Sequence, residues 1–353
     1  MESITTSSYA VHFNEMAYDA LNEHLNLNAY SKVFILVDEN TKQLCLPILS
    51  ARMAKDISYE VIEISSGEIN KNIDTCTLVW NALSDLNADR KSILINLGGG
   101  VLTDLGGFVA STFKRGIAFV NIPTTLLAMV DASVGGKTGV DLGPLKNQIG
   151  VINQPEMVLV VSNFLKTLEE RQLQSGFAEM LKHGLIQNAS YWQVLKSVHN
   201  FDSMDHLIYE SVQIKNRVVL KDPTEQNLRK ILNYGHTLGH AVESYFLESK
   251  EHQTLLHGEA IAIGMILEAY LSFKLCGLPK DELEDIKKVF MSRYARVEFT
   301  KVDIDAILML LKFDKKNSHG NINFVLLEAM GKPVIDVKIP FDLFEGAFLY
   351  YKE

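Results

Sequence analysis

The chain has 353 residues, 47% hydrophobic and 22% charged, which suits a folded soluble enzyme with apolar material for two domains and leaves no long disordered stretch. Its formal net charge of -9 argues against a nucleic-acid partner, because phosphate binding needs a basic face that the chain as a whole does not supply. Cys45, Cys76 and Cys276 form no Cys-x-x-Cys pair, the N-terminus shows no secretory pattern, and the most apolar runs are too short or interrupted to span a bilayer. A reducing compartment, the cytoplasm, and no membrane association are therefore expected.

Along the chain, short β-branched runs at 32–37, 60–64, 92–97, 117–122 and 157–161 alternate with helical stretches. That alternation predicts βαβ units and a mostly parallel sheet covered on both faces. After about residue 162 the apolar period becomes 3.6, over 167–187, 191–198, 205–220, 229–247 and 258–275. Two late runs, 322–327 and 333–339, flank Met330-Gly331-Lys332 and predict a hairpin. The expected fold is α/β: an N-terminal Rossmann-like parallel-sheet domain over 1–162, then a mainly α-helical domain over 163–353.

Within this frame, the strand at 92–97 runs into Gly98-Gly99-Gly100 and a helix start with Asp104. Glycines there let a phosphate approach the backbone, and free N–H groups at a helix start favour an anion such as a pyrophosphate; the plainer alternative is a tight turn with no ligand. Asp38, at the end of the first strand, is either a ribose-binding acid or an ordinary helix cap. Gly135-Gly136-Lys137-Thr138 invites a P-loop reading, which fails because Asp131 stands where the first glycine is needed. Lys137 and Lys146-Asn147 remain as phosphate-binding candidates or as solvated loop residues.

His236 and His240, four residues apart, address one point from a helix, and His257 opens a second helix that can face them. Gly235, Gly239 and Gly258 allow close backbone approach. Glu179, in an apolar helix with Lys182, is a candidate to complete a two-histidine, one-carboxylate zinc site with an open position. The alternative for all of these is a solvated helix face.

Together these segments resemble the 3-dehydroquinate synthase family of sugar phosphate cyclases from about Val33 to Lys316. The resemblance rests on Gly99-Gly100 with Asp104, Lys114-Arg115-Gly116, Pro123-Thr124-Thr125-Leu126-Leu127-Ala128, Gly136-Lys137-Thr138, Lys146-Asn147, Ala178-Glu179 with Lys182, Asn233 to His240, and Leu256-His257-Gly258-Glu259. It implies a cytoplasmic lyase of the shikimate pathway that needs NAD and Zn2+ (or Co2+). Such an enzyme turns 3-deoxy-D-arabino-heptulosonate 7-phosphate into 3-dehydroquinate and phosphate by transient oxidation, phosphate elimination, re-reduction and intramolecular aldol closure.

By position, the resemblance implies Glu179, His236 and His257 as metal ligands, with His240 beside them as a substrate-binding or supporting group. For NAD it implies Asp38, Asn40, Glu68, Lys71, Gly99, Gly100, Asp104, Thr124, Thr125, Phe164 and Thr167. For the anionic small-molecule substrate it implies Arg115, Asp131, Lys137, Lys146, Asn147, Lys182, Lys215, Arg229, Asn233 and Lys316, with Arg115, Lys137, Asn147, His240 and Lys316 toward the phosphate and Arg229, Lys146 and Asn233 toward the carboxylate. A homodimer is implied, with Arg115 reaching the neighbouring site.

Three segments depart from the family pattern: Thr103 in place of glycine, Gly143-Pro144-Leu145 before Lys146, and a polar insert at Glu248-Ser249-Lys250-Glu251. The competing readings are another sugar phosphate cyclase, whose neutral substrate would not need Lys215, Arg229 and Asn233, and a metal-dependent polyol dehydrogenase, which would not need the basic cluster.

Overall fold

The computed structural model describes residues 1–143, 145–249, 251–311 and 322–353. Lys316 of the substrate set, Pro144 before Lys146 and Lys250 of the polar insert lie outside the described residues. The chain groups into two compact units, Met1–Leu173 with Met204–Asn216, and Gln174–Ser203 with Arg217–Glu353.

In the first unit, strands β1 (Ile4–Thr5), β2 (Ala10–Phe13), β3 (Val33–Asp38), β4 (Glu60–Ile64), β5 (Ile93–Gly98), β6 (Ala118–Pro123) and β9 (Met157–Val160) form one sheet in the order β1-β2-β9-β6-β5-β3-β4. All neighbours pair in parallel except β1 with β2. The β3 and β5 runs, Val-Phe-Ile-Leu-Val and Ile-Leu-Ile-Asn-Leu, are buried on both faces, as helix-covered parallel strands must be. Helices α1 (Glu15–Leu27), α2 (Glu39–Leu44), α3 (Leu46–Ser50), α4 (Ile73–Asp85) and α5 (Gly100–Thr112) supply the crossovers. One core gathers Phe34 and Leu36 of β3, Leu94 of β5, Cys76 and Val79 of α4, and Leu105 and Phe108 of α5.

Strand order fixes where a ligand belongs in this unit. From β3 the chain moves outward to β4, then returns to the other side of β3 to lay down β5 and, beyond it, β6. The direction of winding therefore reverses between β3 and β5, and open α/β sheets bind ligands outside the carboxyl ends of the strands at such a point. Asp38 and Gly98 end those two strands, whose pairing runs through Leu36 and Asn96.

A second hairpin, β7 (Lys137–Leu142) with β8 (Leu145–Ile152), stands apart from the main sheet. Lys137 and Lys146-Asn147, weighed as solvated loop residues, thus stand on strands, while Gly135 and Gly136 precede β7. Gly139 is glycine because a Cβ there would lie 2.5 Å from the Ile149 carbonyl oxygen of the opposite strand.

The second unit holds residues 174–187 of α6 (Glu170–Gln187), then α7 (Ala189–Leu195). Helix α8 (Asp205–Lys221) passes from the first unit into the second at residue 217. There follow α9 (His236–Glu248), α10 (His257–Leu275), α11 (Lys280–Arg293), α12 (Lys301–Leu310), the antiparallel hairpin β10 (Asn323–Ala329) with β11 (Lys332–Lys338), and α13 (Asp342–Lys352). Helix α10 is buried on nearly every face, because α9, α11, α13 and β10 all pack on it. Among the described residues no helix is long and apolar enough to cross a membrane.

The segment 229–247, read as one helix, is broken. A 3-10 turn covers Leu228–Asn233, and Gly235 takes a left-handed φ of 78° before α9 starts at His236. Only glycine reaches that conformation cheaply, and a Cβ on it would also lie 2.3 Å from Met265 Cγ.

Candidate active site

In the first unit the Gly98-Gly99-Gly100 turn carries the chain from β5 into α5, and no side chain caps the helix start. Its first N–H groups are the kind that donate to an anion. Thr124 donates its N–H to the Gly98 carbonyl at 3.0 Å, and a Cβ on Gly99 would stand 3.0 Å from Thr125 Cγ2. Thr124, Thr125 and Gly99 therefore pack closely around this turn. Asp38 is the helix cap of the plainer reading: its Oδ1 accepts from Thr41 N at 2.7 Å and from Thr41 Oγ1 at 2.9 Å. Asn40 is exposed in the first turn of α2. Phe164 is fully enclosed, its carbonyl accepting from Thr167 Oγ1 at 2.7 Å. Thr103 is buried in α5 and turns its hydroxyl to the Gly100 carbonyl at 3.3 Å.

Beside the glycine turn lies a buried charge network. Lys71, 5% exposed, donates to Asp104 Oδ2 at 2.6 Å and to Asn147 Oδ1 at 2.7 Å. Lys146 donates to Glu68 Oε1 at 2.7 Å and has Asp141 Oδ2 at 3.6 Å. Asp141 joins the two groups by accepting from Asn147 N at 2.6 Å. Burial disfavours the Lys71 ammonium, but Asp104, Glu68 and Asp141 outweigh it and hold Lys71 charged. Lys146 is thus a half-buried strand residue with a covered side chain rather than a solvated loop lysine, while Lys137 sits exposed at the start of β7. Lys215 of α8 reaches Asp131, with Oδ1 at 2.7 Å. Arg115 lies in a turn of positive φ (72°) and lines an open cleft of about 490 Å³ with Arg90, Ser111, Asn153 and Glu156.

In the second unit, α9 carries His236, His240 and Glu243 at i, i+4 and i+7, one stripe of the helix. Helix α10 starts at His257, and Gly258 donates its N–H to Ser175 Oγ of α6 at 2.9 Å. One turn further along α6 stands Glu179, wholly buried. Its Oε1 lies 3.4 Å from His236 Nε2 and 3.5 Å from His257 Nε2. Nitrogen atoms of His236, His240 and His257 lie within 4.8 Å of one another. Lys182 pairs with Glu179 from the next turn of α6.

The far ring nitrogens fix the tautomers. His236 Nδ1 faces the Tyr234 carbonyl at 3.1 Å, an acceptor only, so Nδ1 carries the proton and Nε2 keeps its lone pair toward Glu179. His257 Nδ1 meets Glu243 Oε2 at 3.1 Å, so Nδ1 carries a proton there too. Burial drives the His236 imidazole well below its ordinary range, Lys182 adding to it, so this ring is neutral and ready to ligate. Burial lowers His257 too, but Glu243 and Glu179 overcome it and raise the ring to about 10. A spot that holds a proton so firmly between an imidazole and a carboxylate suits a cation, and two imidazoles with one carboxylate are a donor set for Zn2+ or Co2+.

Arg229, 2% exposed, donates from Nη1 to the Pro223 carbonyl at 2.6 Å, and Asn233 Nδ2 donates to the Glu225 carboxylate.

The sequence reading did not single out Glu243 or Glu268. Glu268 of α10 accepts from Gly235 N at 2.6 Å and Leu238 N at 3.2 Å, capping α9 from a neighbouring helix. Glu243 had a signal in the i, i+4, i+7 stripe; Glu268, 33 residues from the amide it caps, had none.

Residues 61–175 match the family profile described as 3-dehydroquinate synthase N-terminal, and 176–317 the one described as 3-dehydroquinate synthase C-terminal. A 3-dehydroquinate synthase of Parabacteroides distasonis is 41% identical over 337 residues, 94% of this chain and 95% of that protein. Among solved structures, 2-epi-5-epi-valiolone synthase from Streptomyces hygroscopicus, with NAD+ and Zn2+ bound, is 26% identical with a TM-score of 0.83, covering 100% of this chain and 99% of that one. A 2-deoxy-scyllo-inosose synthase complexed with carbaglucose-6-phosphate, NAD+ and Co2+ shares the fold at a TM-score of 0.84, 23% identical over 98% of each chain.

Proposed function

The chain belongs to the 3-dehydroquinate synthase family, and from that premise we propose that it converts 3-deoxy-D-arabino-heptulosonate 7-phosphate into 3-dehydroquinate and phosphate, as an NAD- and zinc-dependent lyase. The observation that carries the metal half is the pair of Nε2 atoms, from His236 and His257, at 3.4 and 3.5 Å from one buried carboxylate oxygen of Glu179. When bound there, a divalent cation would supply Lewis acidity to the oxygen borne by the carbon that is oxidised and re-reduced. Bound at the β3–β5 switch point, NAD supplies a reversible hydride acceptor that ends the cycle unchanged.

The chain's own residues do the rest. Gly99, Gly100, Thr124 and Thr125 would hold the pyrophosphate by backbone and hydroxyl groups, and Asp38 would accept from a ribose hydroxyl beside its capping bond to Thr41. Asn40, Glu68, Lys71, Asp104, Phe164 and Thr167 complete that region, with Lys71 fixing Asp104. Asp131 sets the direction of the Lys215 ammonium by accepting from it. Cations are the remaining requirement, since the substrate carries a phosphate and a carboxylate in a chain of net charge -9. Lys137, Asn147 and His240 take the phosphate side with Lys316 and with Arg115 supplied by a second copy of the chain, while Lys146, Arg229 and Asn233 take the carboxylate and Lys182 balances Glu179.

The test is substrate choice with product identification by NMR. The carbocyclic acid should form from the heptulosonate phosphate and not from a neutral heptulose phosphate. Cyclisation of the neutral sugar alone would assign a different cyclase, and oxidation of polyols with accumulating NADH would assign a dehydrogenase.

A further inference from the structure

Resting on the metal reading of Glu179, His236 and His257, we infer that Glu243 is a positioning residue for the cation, holding the His257 Nδ1–H so that Nε2 is the nitrogen turned toward Glu179 and left for the metal. The two histidines are held differently. His236 leans on a neutral backbone carbonyl at 3.1 Å, within two residues of itself, so local chain geometry orients it. His257 is the first residue of α10 and has no such local support; its Nδ1 partner is Glu243 Oε2 at 3.1 Å, 14 residues away on another helix. Glu243 is therefore a tie between α9 and the His257 ring.

Its place is set by the helix period. Glu243 follows His236 by seven residues, two turns, on the stripe that faces the start of α10. The carboxylate is 9% exposed, so its charge is little screened by water. A carboxylate on the far nitrogen does two things that a carbonyl does more weakly: it locks the ring's rotation, and it makes the imidazole a more basic ligand. Glu243 does this through His257, from the ring nitrogen opposite the one that faces Glu179.

The experiment is zinc affinity of the full chain, by competition with a chromogenic chelator near neutral pH, for Glu243→Ala, Glu243→Gln and His257→Ala. The visible absorption of the cobalt-substituted proteins is recorded alongside. Glu243→Ala should weaken zinc roughly 10–100-fold and shift the cobalt band. Glu243→Gln keeps the shape and an oxygen that accepts from Nδ1–H, and loses only the charge; it should bind about 10-fold more weakly, the low end of that range. It serves alone should the alanine variant not fold. Wild-type affinity and an unmoved cobalt band in the glutamine and alanine variants, with zinc lost from His257→Ala, would overturn the inference while leaving the metal reading intact. Full zinc retained by His257→Ala would instead sink the metal reading on which it rests.

Discussion

Gly264→Ala should loosen the seam between α9 and α10 and, with it, the metal site. A Cβ on Gly264 would stand 2.0 Å from the Gly235 carbonyl oxygen, 2.7 Å from Gly239 N and 2.9 Å from Gly239 Cα. Ordinary non-bonded contact is about 3.5 Å, so α9 would have to retreat by roughly 1 Å or more. All three atoms are main chain, so no rotamer change relieves the overlap. Two effects oppose each other. Alanine in a helix interior is favoured over glycine by about 1 kcal/mol. Overpacking costs about 1–3 kcal/mol where neighbours give way, and here they cannot, so the top of that range applies. The net is a loss of about 2 kcal/mol or more. Gly235 precedes His236 directly, while His257 is on the helix being pushed away. Metal–ligand distances tolerate deviations of only about 0.2 Å, so the same shift should weaken zinc at least about 10-fold. The assay is a thermal melt of the metal-free protein with zinc affinity in parallel. Gly277→Ala is the control: φ is +83° with nothing within 4 Å of the added methyl, so it should cost about 1–2 kcal/mol of backbone strain and spare the metal. A Gly264→Ala protein that melts at or above wild type and binds zinc normally would refute the packing argument.

Asp303 closes the capping box of α12, accepting from Thr300 N at 2.7 Å and from Tyr245 Oη. Burial raises its carboxyl, but those hydrogen bonds outweigh it and bring it from 3.8 down to about 2. A folded pKa below the unfolded one gives stability that is present above the unfolded value and lost as pH falls through the folded value. Asp303→Asn should therefore cost about 2 kcal/mol near neutrality, with the deficit shrinking between about pH 4 and pH 2 in denaturant titrations; a deficit independent of pH would contradict the assignment. His240→Ala should keep its metal and lose turnover, because Glu179 approaches His236 and His257. Metal analysis showing the loss seen for His236→Ala would make His240 a ligand.

Periodicity made the central sheet legible: the runs at 33–38, 60–64, 93–98, 118–123 and 157–160 emerge within about a residue of their sequence expectation, since buried parallel strands must be continuously apolar. Strands β7 and β8 escaped because glycine in a strand signals close backbone approach as readily as it signals a turn. Gly139 and Gly150 face each other's strands too closely for a side chain. The break at Gly235 escaped for a related reason, as 3.6-residue periodicity persists across it. The break matters to the chemistry, since it makes His236 the first residue of α9 and lets its ring reach the Tyr234 carbonyl. The proximity of Glu179 to His236 and His257 was beyond sequence spacing alone. It depends on α6, α9 and α10 meeting at Ser175, Gly235, Gly258 and Gly264, which only packing reveals.

The most direct measurement is phosphate release from 3-deoxy-D-arabino-heptulosonate 7-phosphate by the purified protein with catalytic NAD and zinc, with the NADH band followed in the same cuvette. Release of one phosphate per substrate over many turnovers, without net NADH, is the predicted result. Net accumulation of NADH, or no phosphate from this acid, would contradict it.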